Sequence, residues 1–419
     1  MKLSNSSKQL MYMFTINEHI DIVKQSNKTK QILIQLYNDI IEAYSFLQNL
    51  KRYSNYYSVT TKKIFSAIQI TKPKTFNNFS FPTVVRSHID EMSISEICYT
   101  FSLYDREIKV FFITEEDNIE LKIDTYNKYV DIIIMWLYIL NIYSSKECVN
   151  TLCIYLYFTS LKKNLPPSNI FVLDETNVNT AFTTTCPRNS EIVIFRKEEW
   201  FKVLIHETFH NFGLDFSDMN NEEVHRFILN IFNVNSNVNL YEAYTEFWAE
   251  IINALFCSFF SLKNKADINE FLSNSEIFIN FERTYSFFQL VKTLNFMGLT
   301  YQDLYLNTKK SRILRENLYK ENSNVLSYYI IKTILINNYQ DFLYWCKSHN
   351  FSLLQFKKTL TNQREFYKFI EKNYKSTSMI NGIKETTLFY KKIQKKYIKN
   401  KKTYNELLHN LRMSICELG

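Results

Sequence analysis

Five consecutive residues, His206-Glu207-Thr208-Phe209-His210, carry the clearest chemical signal in this chain. On a helix, positions four apart project from one face about one turn apart. The two imidazoles would then grip one divalent ion from the same side, and Glu207, beside the first of them, would reach a metal-bound water. Zinc suits neutral imidazoles and lowers the pKa of its water; a neighbouring carboxylate can take that proton as general base. Only seven histidines occur in 419 residues, so composition alone does not explain the pair.

Two imidazoles do not complete such a site, and a third protein ligand is required. Continuing the pentapeptide to a third histidine fails, because the position it would occupy is Phe216. Asp215, Asp218 and His225 are nearby alternatives. The stronger source lies downstream, where Glu242, Glu246 and Glu250 recur at spacing four on one face of an expected helix from Leu240 to Leu262. One of them would bind the ion while its neighbour one turn on holds the outer N–H of a histidine. Two registers satisfy this: Glu246 as ligand with Glu250 behind it, or Glu242 as ligand with Glu246 behind it. Asn239 and Glu242 are spaced as a capping box, which gives Glu242 a structural job and favours the first register. The apolar neighbours Phe247, Trp248, Ala249 and Ile251 argue against a merely solvated carboxylate stripe.

The motif needs elements to hold it. Glu191 to Arg196 reads as an extended run, helical spacing begins at Lys197, and Gly213 is placed to end that helix. Upstream, Ile94 to Tyr104 and Ile108 to Ile113 flank Asp105-Arg106-Glu107 and read as a hairpin. Ile119 to Tyr143 returns to helical spacing, Thr151 to Thr159 reads as a buried strand, and Ile170 to Asp174 and Thr180 to Cys186 as shorter ones. Residues 8 to 70 show helical spacing, 72 to 92 read as a connecting loop, and everything after about residue 265 reads as helices with polar loops. The expected fold class is α+β: a small mixed sheet and helices carrying the site at 91–264, flanked by helical regions at 1–90 and 265–419.

Composition narrows the alternatives. Four glycines, none close to another, exclude a P-loop and a GxGxxG dinucleotide site. Seven cysteines, odd in number, widely spaced and without a CxxC, read as reduced thiols rather than a disulfide framework. The N-terminus lacks the apolar core of a secretory signal. Ile132 to Leu140 and Ile251 to Leu262 are too short or too interrupted to span a bilayer. These features lead to the expectation of an intracellular, cytoplasmic protein without a membrane span.

The segment HETFH followed by TEFWAE on a second helix resembles the gluzincin branch of the zincin metallopeptidases, whose members join HExxH to a downstream glutamate. The stretch from Leu152 to Trp248 also looks like uncharacterised metallopeptidase-like proteins of large DNA viruses, which admits association with a virion. The resemblance covers about 150 residues and implies a zincin-like core. It implies Zn2+ held by His206, His210 and Glu246, with Glu207 as base and Glu250 in support. It further implies a polypeptide substrate lying along an edge strand, supplied by Thr180 to Cys186 or Glu191 to Arg196. Cys186 would then lie close enough to the ion to act as a thiolate brake, although a packed thiol is the plainer expectation. Tyr241 or Tyr244 would be in reach as hydrogen-bond donors to an oxyanion, with core packing again the plainer role.

Two rivals belong to other classes. One is a virion or scaffold protein that keeps the zincin core without doing chemistry. The other is a basic nucleic-acid-associated protein. The chain carries 50 Lys+Arg against 42 Asp+Glu, a net charge of +8. Residues 388–402 concentrate Lys391, Lys392, Lys395, Lys396, Lys399, Lys401 and Lys402. A solvated helix face explains such a cluster equally well.

Overall fold

The computed structural model describes residues 1–53 and 56–419; Ser54 and Asn55, inside the stretch expected to be helical, lie outside the described residues. The fold class is α+β, built on one six-stranded mixed sheet and a large helical body. The strands are β1 (Ser58–Lys63), β2 (Ser95–Leu103), β3 (Arg106–Thr114), β4 (Thr151–Phe158), β5 (Ala181–Phe182) and β6 (Asn189–Ile194). Their spatial order is β1-β2-β3-β4-β6-β5. The pairs β3–β4 and β4–β6 are parallel, and the outer pairs are antiparallel.

Strand β4 shows why the centre of the sheet was legible. Its sequence, TLCIYLYF, is apolar in succession because both faces are covered. Leu152, Ile154 and Leu156 face the helical body, while Tyr155 and Tyr157 face a second, smaller core. That smaller core is closed by Ile70 and, within residues 72–92 expected to form only a loop, by Phe76, Phe81 and α3 (Thr83–Met92). Strand β1 was expected to be helical. Its sequence, SVTTKK, is exposed along its whole length, and a polar, lysine-bearing strand is how a sheet edge is kept from pairing further. Ile170 to Asp174 forms no strand; only Leu173 makes an isolated bridge, to Glu321.

The first helices are α1 (Asn5–Ile16), α2 (Asn27–Leu50) and, after α3, α4 (Ile123–Tyr143), the parallel crossover between β3 and β4. A single turn, α5 (Glu175–Val178), precedes β5. Then come α6 (Trp200–Asn211), α7 (Glu222–Ile231), α8 (Leu240–Ser261) and α9 (Ile268–Phe296). The remainder is α10 (Lys309–Leu318), a π-helical stretch (Leu326–Ile331) running into α11 (Lys332–Asn337), then α12 (Tyr339–His349), α13 (Leu360–Asn373), α14 (Thr377–Lys399) and α15 (Lys401–His409). The three expected segments share one interior, since a continuous apolar cluster runs from Leu10 to Leu418. No helix among the described residues is long and apolar enough to cross a membrane.

The chain does not end in a helix. Residues 410–418 form a buried, extended tail gripped by two carboxylates. Glu199 accepts from the amides of Met413 (2.9 Å) and Ser414 (2.6 Å). Glu282 accepts from the Ser414 hydroxyl and from the amides of Ile415 and Cys416. A charged residue buried at such a place is tolerated because its lone pairs are met by backbone donors.

The cysteines depart from expectation. Cys148 and Cys186 are joined in a disulfide, while the other five are free. The bond ties the turn before β4 to the β5–β6 loop, so the expectation that all seven cysteines are reduced thiols is corrected. It closes a loop of 38 residues, worth about 4 kcal/mol by chain entropy alone. Replacing Cys148 and Cys186 together by Ser should lower the unfolding free energy by about 2–4 kcal/mol in urea titrations. Dithiothreitol should destabilise the parent protein and leave the double variant unmoved.

Candidate metal centre

The helix α6 is made to be buried: all twelve of its residues are shielded from solvent, and its polar face turns inward. Its first turn starts from Glu199, which has a φ of 60°, a strained left-handed conformation for any residue but glycine. Its end is a Schellman turn. The Gly213 amide donates to the His210 carbonyl (3.0 Å) and the Leu214 amide to Phe209 (2.8 Å), with Gly213 at φ 66°. Behind the helix, the Trp136 indole of α4 donates to the Thr208 hydroxyl at 2.8 Å in a sealed interior.

On the inward face Lys202, His206 and His210 stand one turn apart against Glu246 and Glu242 of α8, with Glu250 one turn beyond. The two ladders interlock antiparallel. Lys202 Nζ meets Glu246 Oε1 at 2.5 Å, and His206 Nδ1 meets Glu246 Oε2 at 2.9 Å. Glu242 Oε2 lies 3.1 Å from His206 Nε2 and 3.5 Å from His210 Nε2, and the two Nε2 atoms are 3.2 Å apart. His210 Nδ1 is bonded to Asp215, which the Schellman turn brings back beneath it.

His206, His210 and Glu242 form the one three-residue group among the described residues able to hold a metal. Of the two registers weighed, the structure brings Glu242, rather than Glu246, beside the inner nitrogens of both imidazoles. Glu246 sits on the Nδ1 side of His206, locked to Lys202, and Glu250 is one turn too far away, paired with Lys332 Nζ at 2.6 Å. The capping box that favoured the Glu246 register does not form: Asn239 makes no side-chain cap and its amide donates to Asn324 instead. Asp215 supports a histidine rather than facing the centre, Asp218 pairs with Lys358, and His225 bonds the Ser236 carbonyl.

The donor set fits a tetrahedral ion. Ligand bonds of about 2.0–2.1 Å separate donor atoms by about 3.3–3.4 Å, close to the observed triangle of 3.1, 3.2 and 3.5 Å. Both imidazoles have the outer nitrogen committed to a carboxylate, which leaves the inner nitrogen as the lone-pair donor. Charge points the same way. With the two imidazoles neutral, as metal ligands are, the carboxylates of Asp215, Glu242 and Glu246 have Lys202 as their one cation in direct contact, and a divalent cation would offset that excess.

The ionisation states reflect the crowding. Burial pulls both imidazoles down, but the facing carboxylates outweigh it, Glu242 and Glu246 at His206, Asp215 and Glu242 at His210, and hold both above the ordinary histidine value. Burial pushes Glu242 up and is overcome by His210 and His206, so its carboxyl lies well below the usual range. Glu207 is the exception: burial lifts its carboxyl above the ordinary value, against the opposing pull of His206 and His210.

Tyr328, on the π-helical stretch, has no forerunner in the sequence reasoning. Its hydroxyl donates to Glu242 Oε2 at 2.9 Å, and its ring lies against His206. Nothing near position 328 resembles a motif, so only the three-dimensional return of the chain could reveal it. Tyr244, by contrast, is a core residue whose hydroxyl donates to the Leu354 carbonyl, and Tyr241 stands edge-on to His210. Cys186 is no brake: its sulfur is in the disulfide, and its amide donates to the His210 carbonyl at the far end of the helix.

A narrow pocket of about 30 Å³ adjoins the centre, lined by His206, Glu207, Tyr328, Thr180, Ala181 and Met413 among others. That is room for one or two waters. Of the two runs expected to supply an edge strand, β6 is interior, and only Ala181–Phe182 forms the edge.

The chain matches no protein-family model, no curated protein and no solved structure.

The two glutamates should separate by stability. Glu246→Gln leaves Lys202 buried without its counter-charge and should cost about 3–5 kcal/mol in metal-free urea unfolding. Glu242→Gln removes the charge that the two imidazoles stabilise and should also cost metal-free stability, but less than Glu246→Gln, because the imidazoles can shed their protons whereas Lys202 stays charged.

Proposed function

We propose that this protein is a zinc-dependent metalloendopeptidase with a zincin-like core. The observation that carries the proposal is the triangle of His206 Nε2, His210 Nε2 and Glu242 Oε2, with Glu246 and Asp215 bonded behind the two imidazoles. The chemistry a zinc ion supplies in such a donor set is polarisation of a carbonyl and a lowered pKa for bound water.

The chain's own residues account for the rest. Glu207 follows His206 directly and lines the pocket, and its raised carboxyl pKa suits a group that takes a proton and hands it to a leaving amine. Burial keeps the Tyr328 phenol protonated, so its O–H remains a donor for negative charge developing beside Glu242. Thr180 and Ala181, at the start of the edge strand, line the same pocket as Glu207 and would orient an extended peptide by strand addition.

A second reading, a zincin core kept for scaffold duty, draws on one feature. His206, Glu207 and His210 are only 6%, 7% and 9% exposed, and the pocket admits little more than water, so a peptide would need the Tyr328 segment to yield.

Metal analysis with activity assays tests both. One zinc per chain is expected, lost in His206→Ala, His210→Ala and Glu242→Ala and kept in Glu207→Gln. Glu207→Gln should cut hydrolysis of a broad peptide library by about 10²–10⁴-fold. A wild-type protein free of zinc would sink the proposal; a zinc-loaded protein that cleaves nothing in the library would leave the scaffold role.

A further inference from the structure

The net charge of +8 is not spread over the surface. Residues 384–402 contain eight lysines and one acid, Glu385, so this one segment carries 8 − 1 = +7 and the other 400 residues together +1. Among the described residues none of those lysines is ion-paired; Lys396 donates to the neutral Asn17 side chain, and the nearby Glu406 is taken by Lys162. A cluster that is merely a solvated face needs no shaped surface beside it. This one has a groove of about 810 Å³.

The groove runs between α14 and the loop at Pro166-Pro167, with Phe296 at the end of α9 and Leu408 of α15 as further wall. Its lining contains no acidic residue. Lys391 and Lys395 stand on its rim one helical turn apart, and Ile398, one turn further on, is 77% exposed at its mouth. An apolar floor with a row of unpaired cations along one side is complementary to a helix with an apolar stripe and acidic residues beside it.

We propose that the α14 groove docks an acidic amphipathic helix of a partner polypeptide, with Lys391 and Lys395 meeting carboxylates at spacing four and the floor seating its apolar stripe. Single-stranded nucleic acid fits less well, because it needs open aromatic faces on which bases stack. Tyr390 is only 6% exposed, and the Tyr397 hydroxyl is engaged by His409 and Asn405. A flat bilayer surface does not enter a concave groove. The inference is independent of the metal centre, which lies in another pocket with no residue in common.

The probe is a fluorescein-labelled helical peptide of about 16 residues, with leucines at helical spacing and glutamates four apart, read by fluorescence anisotropy. Controls are a scrambled isomer of the same composition, oligo(dT), and phosphatidylserine vesicles. Saturable binding of the helix is expected, with a scrambled isomer that binds much more weakly. Lys391→Glu/Lys395→Glu and, separately, Ile398→Asp should each weaken it by about tenfold or more, with melting curves unchanged because the altered side chains are exposed. Equal binding of the scrambled isomer would overturn the proposal. So would unchanged affinity in both variants, or capture of oligo(dT) or vesicles in preference to the helix.

Discussion

One buried contact, Lys202 to Glu246, sets the register on which the whole centre depends. The salt bridge is 2.5 Å long, with both side chains almost wholly excluded from water. A pair of that kind gains little net stability over an apolar pair, but breaking it is expensive, so it selects one alignment of two helices against its neighbours. Glu246 also reaches His206 Nδ1, and the contact thereby fixes both the orientation of the imidazole and which of its nitrogens faces Glu242. Sliding α8 by one turn would bring Glu250 to Lys202 and strand Lys332, a second fully buried cation, without its partner. Two lysines from distant parts of the chain thus exclude the competing register.

The same reasoning explains how four carboxylates coexist in one interior volume. Three are met by close donors: Asp215 by His210 and Ser217, Glu246 by Lys202 and His206, and Glu242 by two imidazoles and a phenol. Glu207 has no close cation of its own, and unlike Glu242 and Glu246 it is pushed toward the neutral form by burial. Divergent ionisation of neighbouring acids in one volume marks a candidate functional site.

Much of this was legible in the sequence. Local signals were reliable where the structure obeys them locally: the hairpin of β2 and β3, the apolar run of β4, the span of α4, and Gly213 as the stop for α6. The HExxH pair, its glutamate and the carboxylate helix were all visible, because spacing four is a property of a single helix. Which of Glu242 and Glu246 faces the inner imidazole nitrogens was not, since the helix alignment turns on Lys202 and Lys332, one of which lies 82 residues beyond its partner Glu250. The capping-box spacing of Asn239 and Glu242 was misleading, because a tertiary bond to Asn324 claims the asparagine. Strand β1 and helix α3 were missed for the opposite reason to β4. One is a polar edge, and the other covers the sheet with a few apolar residues between prolines and asparagines. The disulfide joins cysteines 38 residues apart, and no pattern marks the two as a pair.

The C-terminal half is part of the centre rather than an appendage to it. Glu199, whose strained backbone starts α6, spends its carboxylate on the amides of Met413 and Ser414 and on Lys163. Met413 in turn lines the pocket beside Glu207. Tyr328 enters from a π-helical stretch, where the extra residue in the turn swings side chains off the regular helical positions, a device common at functional sites. An ordinary α-helical path through Leu326–Ile331 would shift each following side chain by about 100°, and the phenol would lose Glu242. Two helices are enough to arrange the triangle of donor atoms, but what lies above it is set by a tail and a wound stretch more than 80 residues downstream of Glu242.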